Sequence, residues 1–184
     1  CAAEGVGQMT LPHAIEFKPD GTKMFITTNE AIGSFDLGVW QFKLNTPWDS
    51  TSLVCEKIYE IDIDDAGGED QVRTLAFKPD GTRMFVGGRD LDKLRQYDLA
   101  TPFDLRSGVT PGGVSADLSS IETNMRNIQF NPDGTQLFLS GNERDVGRMN
   151  KINLSTAYDI TTLSSTAETF DLGSRANNMM GFIF

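Results

Sequence analysis

One histidine, two cysteines and sixteen basic residues in 184 positions leave little material for several kinds of site. The lone histidine, His13, has no second histidine or cysteine at ligand spacing, so the usual zinc arrangements are excluded. No G-x-S-x-G turn is present, which removes the nucleophile elbow of serine hydrolases. Against 16 Lys and Arg stand 26 Asp and Glu, a formal net charge of −10. That balance argues against nucleic acid and against an anionic membrane surface, both of which repel an acidic protein. No apolar run approaches the roughly 18 to 20 residues of a membrane-spanning helix. Stretches rich in Ala, Leu or Lys are also scarce, which speaks against a helical bundle.

Two cysteines leave their own chemistry open. Cys1 and Cys55 are compatible with a disulfide in an extracellular protein, with two unpaired thiols, or with an acylated Cys1 at the start of a mature lipoprotein. The chain opens at Cys1 without an initiator Met, a basic n-region or an apolar signal core, as a proteolytic product, a lipoprotein or a segment of a longer protein would.

What the sequence does contain is punctuation: 18 Gly and 7 Pro, with 12 Phe spread along the chain. These residues are organised as repeats. Residues 14–27 read AIEFKPDGTKMFIT, 74–87 TLAFKPDGTRMFVG and 127–140 NIQFNPDGTQLFLS, so Phe17, Phe77 and Phe130 are equivalent. A second landmark follows each: Thr46-Pro47-Trp48-Asp49, Thr101-Pro102-Phe103-Asp104 and Thr156-Ala157-Tyr158-Asp159, spaced by 55 residues. A third is Ile61-Asp62-Ile63, Ala116-Asp117-Leu118 and Phe170-Asp171-Leu172. Within each unit Pro-Asp-Gly presets a hairpin, because Pro fixes φ and Gly accepts φ > 0. The alternation on either side predicts four antiparallel strands, the fourth ending at the third landmark. Each unit supplies one hairpin turn and one core Phe pair.

The F-x-P-D-G-T-[KR]-M-F core resembles the blades of PD40/TolB-type or YncE-like β-propellers. The Tyr97-to-Asp104 element, Y-D-L-A-T-P-F-D, is similar to propeller repeats of bacterial surface proteins and of phage tail or adhesin proteins. The resemblance implies an all-β propeller: blade 1 at about 12–63, blade 2 at about 72–118, blade 3 at about 125–172, and the first strand of a fourth at about 179–184. Three blades do not close a ring of the usual four to eight or so. Completion is expected from missing sequence or from another chain, so partners are a protein or further copies of this chain, docking on open blade edges.

In such a propeller the residue four before each landmark Phe lies at one mouth of the channel. These residues are His13, Arg73 and Arg126, with Met180 in the fourth position. Their convergence offers an anion or sugar-acid site; pairing of the arginines with Glu69, Asp70 or Glu122 is the alternative. Asp62, Asp64 and Asp65, beside Glu69 and Asp70, have the oxygen chemistry of a Ca²⁺ loop without the full pattern, and a solvated loop is the competing reading. Asp20, Asp80 and Asp133 read as turn residues. Trp48, Phe103 and Tyr158 are either sugar-stacking platforms, with a glycan as partner, or aromatics packed beneath the loop between the third and fourth strands. The loop from Asn29 to Gly38, with Phe35, is longer than its counterparts and is a further binding candidate. Innermost positions are Glu16, Ala76 and Gln129, a single acid. The expected function is a non-enzymatic structural or recognition module of a secreted, cell-surface or virion assembly, without a cofactor. The alternative is part of a lactonase-like or metal-dependent propeller hydrolase.

Overall fold

A computed structural model of the chain describes residues 12–28, 38–61, 71–89, 92–141 and 148–171. Several expectations lie outside these: the state of Cys1, the loop carrying Phe35, the acidic group Asp62, Asp64, Asp65, Glu69 and Asp70, and Met180 with the fourth-blade strand.

Among the described residues, twelve strands form three four-stranded antiparallel sheets, each in sequence order. Blade 1 holds β1 (Pro12–Phe17), β2 (Lys23–Thr28), β3 (Gly38–Leu44) and β4 (Leu53–Glu60). Blade 2 holds β5 (Val72–Phe77), β6 (Arg83–Gly88), β7 (Leu94–Thr101) and β8 (Asp104–Val114). Blade 3 holds β9 (Met125–Phe130), β10 (Gln136–Gly141), β11 (Arg148–Leu154) and β12 (Leu163–Asp171). The first strands are neighbours, β1 beside β5 and β5 beside β9, so the blades radiate from a common inner side.

The turn chemistry accounts for the identical hairpins. Gly21, Gly81 and Gly134 have φ of +71°, +74° and +73°, which glycine adopts without strain. Asp20 Oδ1 accepts from the Thr22 amide at 3.0 Å and from its hydroxyl at 2.6 Å. Asp80 with Thr82 and Asp133 with Thr135 repeat the arrangement. The carboxylates of Asp20 and Asp80 are held down to about 2. For Asp20 the Lys18 and Thr22 hydrogen bonds lead; for Asp80 partial burial opposes those from Lys78 and Thr82. All three carboxylates are engaged in hydrogen bonds within their own turns.

Two expectations change. The strand before the Asp117 landmark stops at Val114, because the chain turns out of the ladder: Leu118 N donates to Asp92 O at 2.7 Å, and Asp117 Oδ1 accepts from Ser119 N. The Phe pairs, expected within blades, form across them. Phe25 of blade 1 meets Phe77 of blade 2 with ring centroids 4.6 Å apart, and Phe85 meets Phe130 at 4.5 Å. The apolar clusters accordingly join Phe25 and Val39 to the core of blade 2, and Phe85 and Leu94 to that of blade 3. Two of the cores are boundaries between sheets, and a smaller one of Met24, Ile26 and Leu44 lies within blade 1.

Candidate functional site

His13, Arg73 and Arg126 are the second residues of β1, β5 and β9. Their shared position on the three innermost strands follows from the repeat, and their surroundings differ. Arg73 is buried and donates to Asn124 Oδ1 at 2.6 Å and to Gln71 Oε1. Arg126 is half-buried; desolvation, then the positive charge of Arg89, lowers its affinity for its proton. His13 is half-buried at the edge of blade 1.

Deeper along the same strands, toward the Pro-Asp-Gly turns, Glu16, Ala76 and Gln129 line one cavity of about 250 Å³ with Phe77, Phe130 and Tyr158. Burial pushes the Glu16 carboxyl up to about 7. Gln129 Oε1 is buried there without a hydrogen-bond partner among the described residues. These two groups are the polar content that the inner strands offer at this depth.

The second polar assembly lies between blades, and sequence reasoning missed it. Gln41 on β3 accepts from the backbone N–H of Leu105 in blade 2 at 2.6 Å. Gln96, at the same place on β7, accepts from Ile160 N in blade 3 at 3.0 Å. Lys23 donates to the carbonyl of Phe103 at 2.9 Å, and Arg83 to the carbonyl of Tyr158 at 2.9 Å. Blades 1 and 2 therefore each grip the aromatic-Asp landmark of the blade that follows. At the first boundary Asp104 lies 3.3 Å from Lys23 and receives both Nε and Nη2 of Arg106, at 2.9 and 2.7 Å. The Arg106 hydrogen bonds, aided by the Lys23 charge and opposed by burial, hold the Asp104 carboxyl well below the usual carboxylate range. The signal in the sequence was the spacing of Gln41 and Gln96 at equivalent repeat positions.

The landmark aromatics divide by context. Phe103 and Tyr158 are buried, each resting on the glycine of its own hairpin, Gly81 and Gly134. Trp48 rests likewise on Gly21 and lies 5.3 Å from Phe17, yet it is 60% exposed. Ile15 is 55% exposed where its counterparts Leu75 and Ile128 are each 2% exposed. Trp48 and Ile15 thus share the side of blade 1 that, in blades 2 and 3, the preceding blade covers. Packing beneath the loop describes two of the three aromatics, and the third is surface. Cys55 on β4 is disulfide-bonded; the sequence supplies a single other cysteine, Cys1.

No family model and no curated protein matches this sequence. Solved structures do resemble it. The β-propeller domain of Myceliophteria thermophila Cps50 (Swd1) aligns at 12% identity and a TM-score of 0.52, over 88% of this chain and 43% of that one. The fold is that of a β-propeller. Two further matches are the Pseudomonas aeruginosa periplasmic gluconolactonase PpgL, at 17% identity, TM-score 0.59 and 89% and 40% coverage, and a Lactobacillus plantarum protein, at 17%, 0.58, and 85% and 40%. This chain spans about two fifths of the length of each, and at such identities the likeness is one of architecture.

Proposed function

We propose that this chain is a non-enzymatic structural or recognition β-propeller module of a secreted, cell-surface or virion assembly. The observation that carries the reading is the exposure of Trp48 and Ile15 on blade 1, at positions built to the same pattern as the two occupied blade boundaries, although Ile26 and Trp40 on the same face are buried. The repeated polar residues support it, because Asp20, Asp80, Asp133, Gln41 and Gln96 are spent on turns and on blade-to-blade contacts. The disulfide at Cys55 supports an oxidising compartment.

The occupant of that face is a further four-stranded blade. In a preparation of this chain alone, the blade on offer is the third blade of another copy. There Phe138 stands in the place of Phe25 and Phe85, and Lys151 in the place of Gln41 and Gln96. Lys151 is the residue of that face suited to meet Asp49, whose counterparts Asp104 and Asp159 sit at the occupied boundaries. Sedimentation velocity tests this: the chain should self-associate with rising concentration, and Trp48→Glu and Lys151→Glu should each weaken association from opposite sides while circular dichroism stays unchanged. A monomer at every concentration, or association indifferent to both changes, overturns it.

A second reading, part of a lactonase-like enzyme, is favoured by the near-neutral Glu16 carboxyl, which suits proton transfer. Gluconolactone hydrolysis above the spontaneous rate, lost in Glu16→Gln, would replace the first reading with this one.

A further inference from the structure

Blade 3 departs from the repeat at one buried place. On β3, Trp40 lies between Ile26 of β2 and Ile58 of β4. On β7 the same position is Arg95, between Val86 and Val114. On β11 it is Asn150, between Leu139 and Thr169. A large apolar ring and its isoleucine neighbour are replaced by an amide and a hydroxyl, so space opens where blade 1 is filled. The result is a cavity of about 360 Å³, lined by Arg148 and Asn150, by Ser120 from the loop after β8, and by Ser165, Thr166 and Thr169 of β12.

The donors in this cavity outnumber their acceptors. Asn150 is 2% exposed. Its Oδ1 accepts from the Thr169 hydroxyl at 2.8 Å, which fixes the amide and leaves Nδ2 buried with no acceptor among the described residues. Arg148, two residues earlier and hence on the same face of β11, also has a buried Nε without a partner among the described residues. Buried donors in native proteins are paired with few exceptions, and an unpaired one costs stability. Serine and threonine hydroxyls can rotate to donate as well. Among the described residues, the lining includes no carboxylate. The nearest acids of β12 are Glu168, turned to Lys151 on the other face at 2.8 Å, and Asp171, opposite Arg148 at the exposed end of the strand.

We propose that this cavity binds the oxyanion group of a small ligand, a carboxylate or a phosphate ester, with the Arg148 guanidinium and the Asn150 amide as its principal donors. A guanidinium beside a fixed amide suits paired oxygens, since charge-assisted hydrogen bonds are the stronger kind. A cavity of this volume admits an acid-bearing monosaccharide. The site is on blade 3, away from the inner strands and independent of the blade-1 face.

Calorimetric titration of the full chain with inorganic phosphate, glucuronate and uncharged glucose tests it. At least one anion should bind, glucose should not, and Asn150→Leu and Arg148→Met should each weaken binding by about tenfold or more, the loss expected for a hydrogen bond to a charged group. Should Asn150→Leu fail to fold, Asn150→Asp keeps the shape and turns the donor into a repelling acceptor, with the same loss expected. Phosphate alone assigns a tetrahedral group, glucuronate alone a planar carboxylate. No anion binding, binding of glucose equal to glucuronate, or anion binding unchanged in the variants overturns the proposal, leaving the donors to water.

Discussion

Glu16→Gln should make this protein more stable, and only above mildly acidic pH. The Glu16 carboxyl has an ordinary value of 4.5 and is pushed up to about 7 by burial in the inner cavity. At roughly 1.4 kcal/mol for each tenfold change in proton affinity, ionising it in the folded protein rather than in the unfolded chain costs about 3 kcal/mol. Folding raises the proton affinity here, so between those two pH values the native state binds more protons than the unfolded state. Stability therefore falls as pH rises through that window and levels off above about 7. Glutamine mimics the protonated form and has no such loss. Near about pH 4 the two proteins should melt together, and near about pH 8 the variant should lead by up to about 3 kcal/mol, or about 6 to 12 °C for a chain of this size. Differential scanning calorimetry at matched ionic strength measures the difference directly. Carboxylates with depressed values, such as Asp20 and Asp80, act in the opposite direction at low pH but are common to both proteins and cancel. A difference that stays flat from about pH 4 to about pH 8, or a variant less stable at the higher pH, refutes the claim that Glu16 is desolvated.

Two other substitutions probe the scaffold. Gln96→Ala leaves the buried Ile160 N–H without its acceptor and should cost about 1 to 3 kcal/mol in a urea titration, whereas Gln136→Ala, whose side chain makes an exposed contact at 3.4 Å, should cost close to nothing. Equal effects would show that the blade-to-blade glutamine is dispensable. Gly81→Ala forces a side chain into positive φ at +74° and against the Phe103 ring, so a loss of more than about 1 kcal/mol is expected. Pairing it with Phe103→Ala should recover part of that loss, and strict additivity would refute direct contact.

The hairpins and blade count were legible because Pro-Asp-Gly-Thr encodes its own geometry: Asp20, Gly21 and Thr22 determine the turn within four residues. The same locality made Asp80 and Asp133 readable as structural. Contacts between blades were not legible in that way. Gln41 and Leu105 are 64 residues apart, and nothing near either one announces the other. Trp48 looked equivalent to Phe103 and Tyr158, and locally it is; its exposure depends on what lies beside blade 1. The position shared by Trp40, Arg95 and Asn150 became informative only through strand register, which places each between known neighbours. The inner positions Glu16, Ala76 and Gln129 were anticipated from the repeat, but the burial that perturbs Glu16 was not.

Because the two larger apolar clusters span blade boundaries and only a small one lies within blade 1, the main cooperative element of this protein is the seam. Stability then accumulates seam by seam, as in a one-dimensional chain of coupled units. Among the described residues blade 2 has a seam on each side, so it is held by both larger clusters at once. Loosening would start at an outer blade and stop at the next seam.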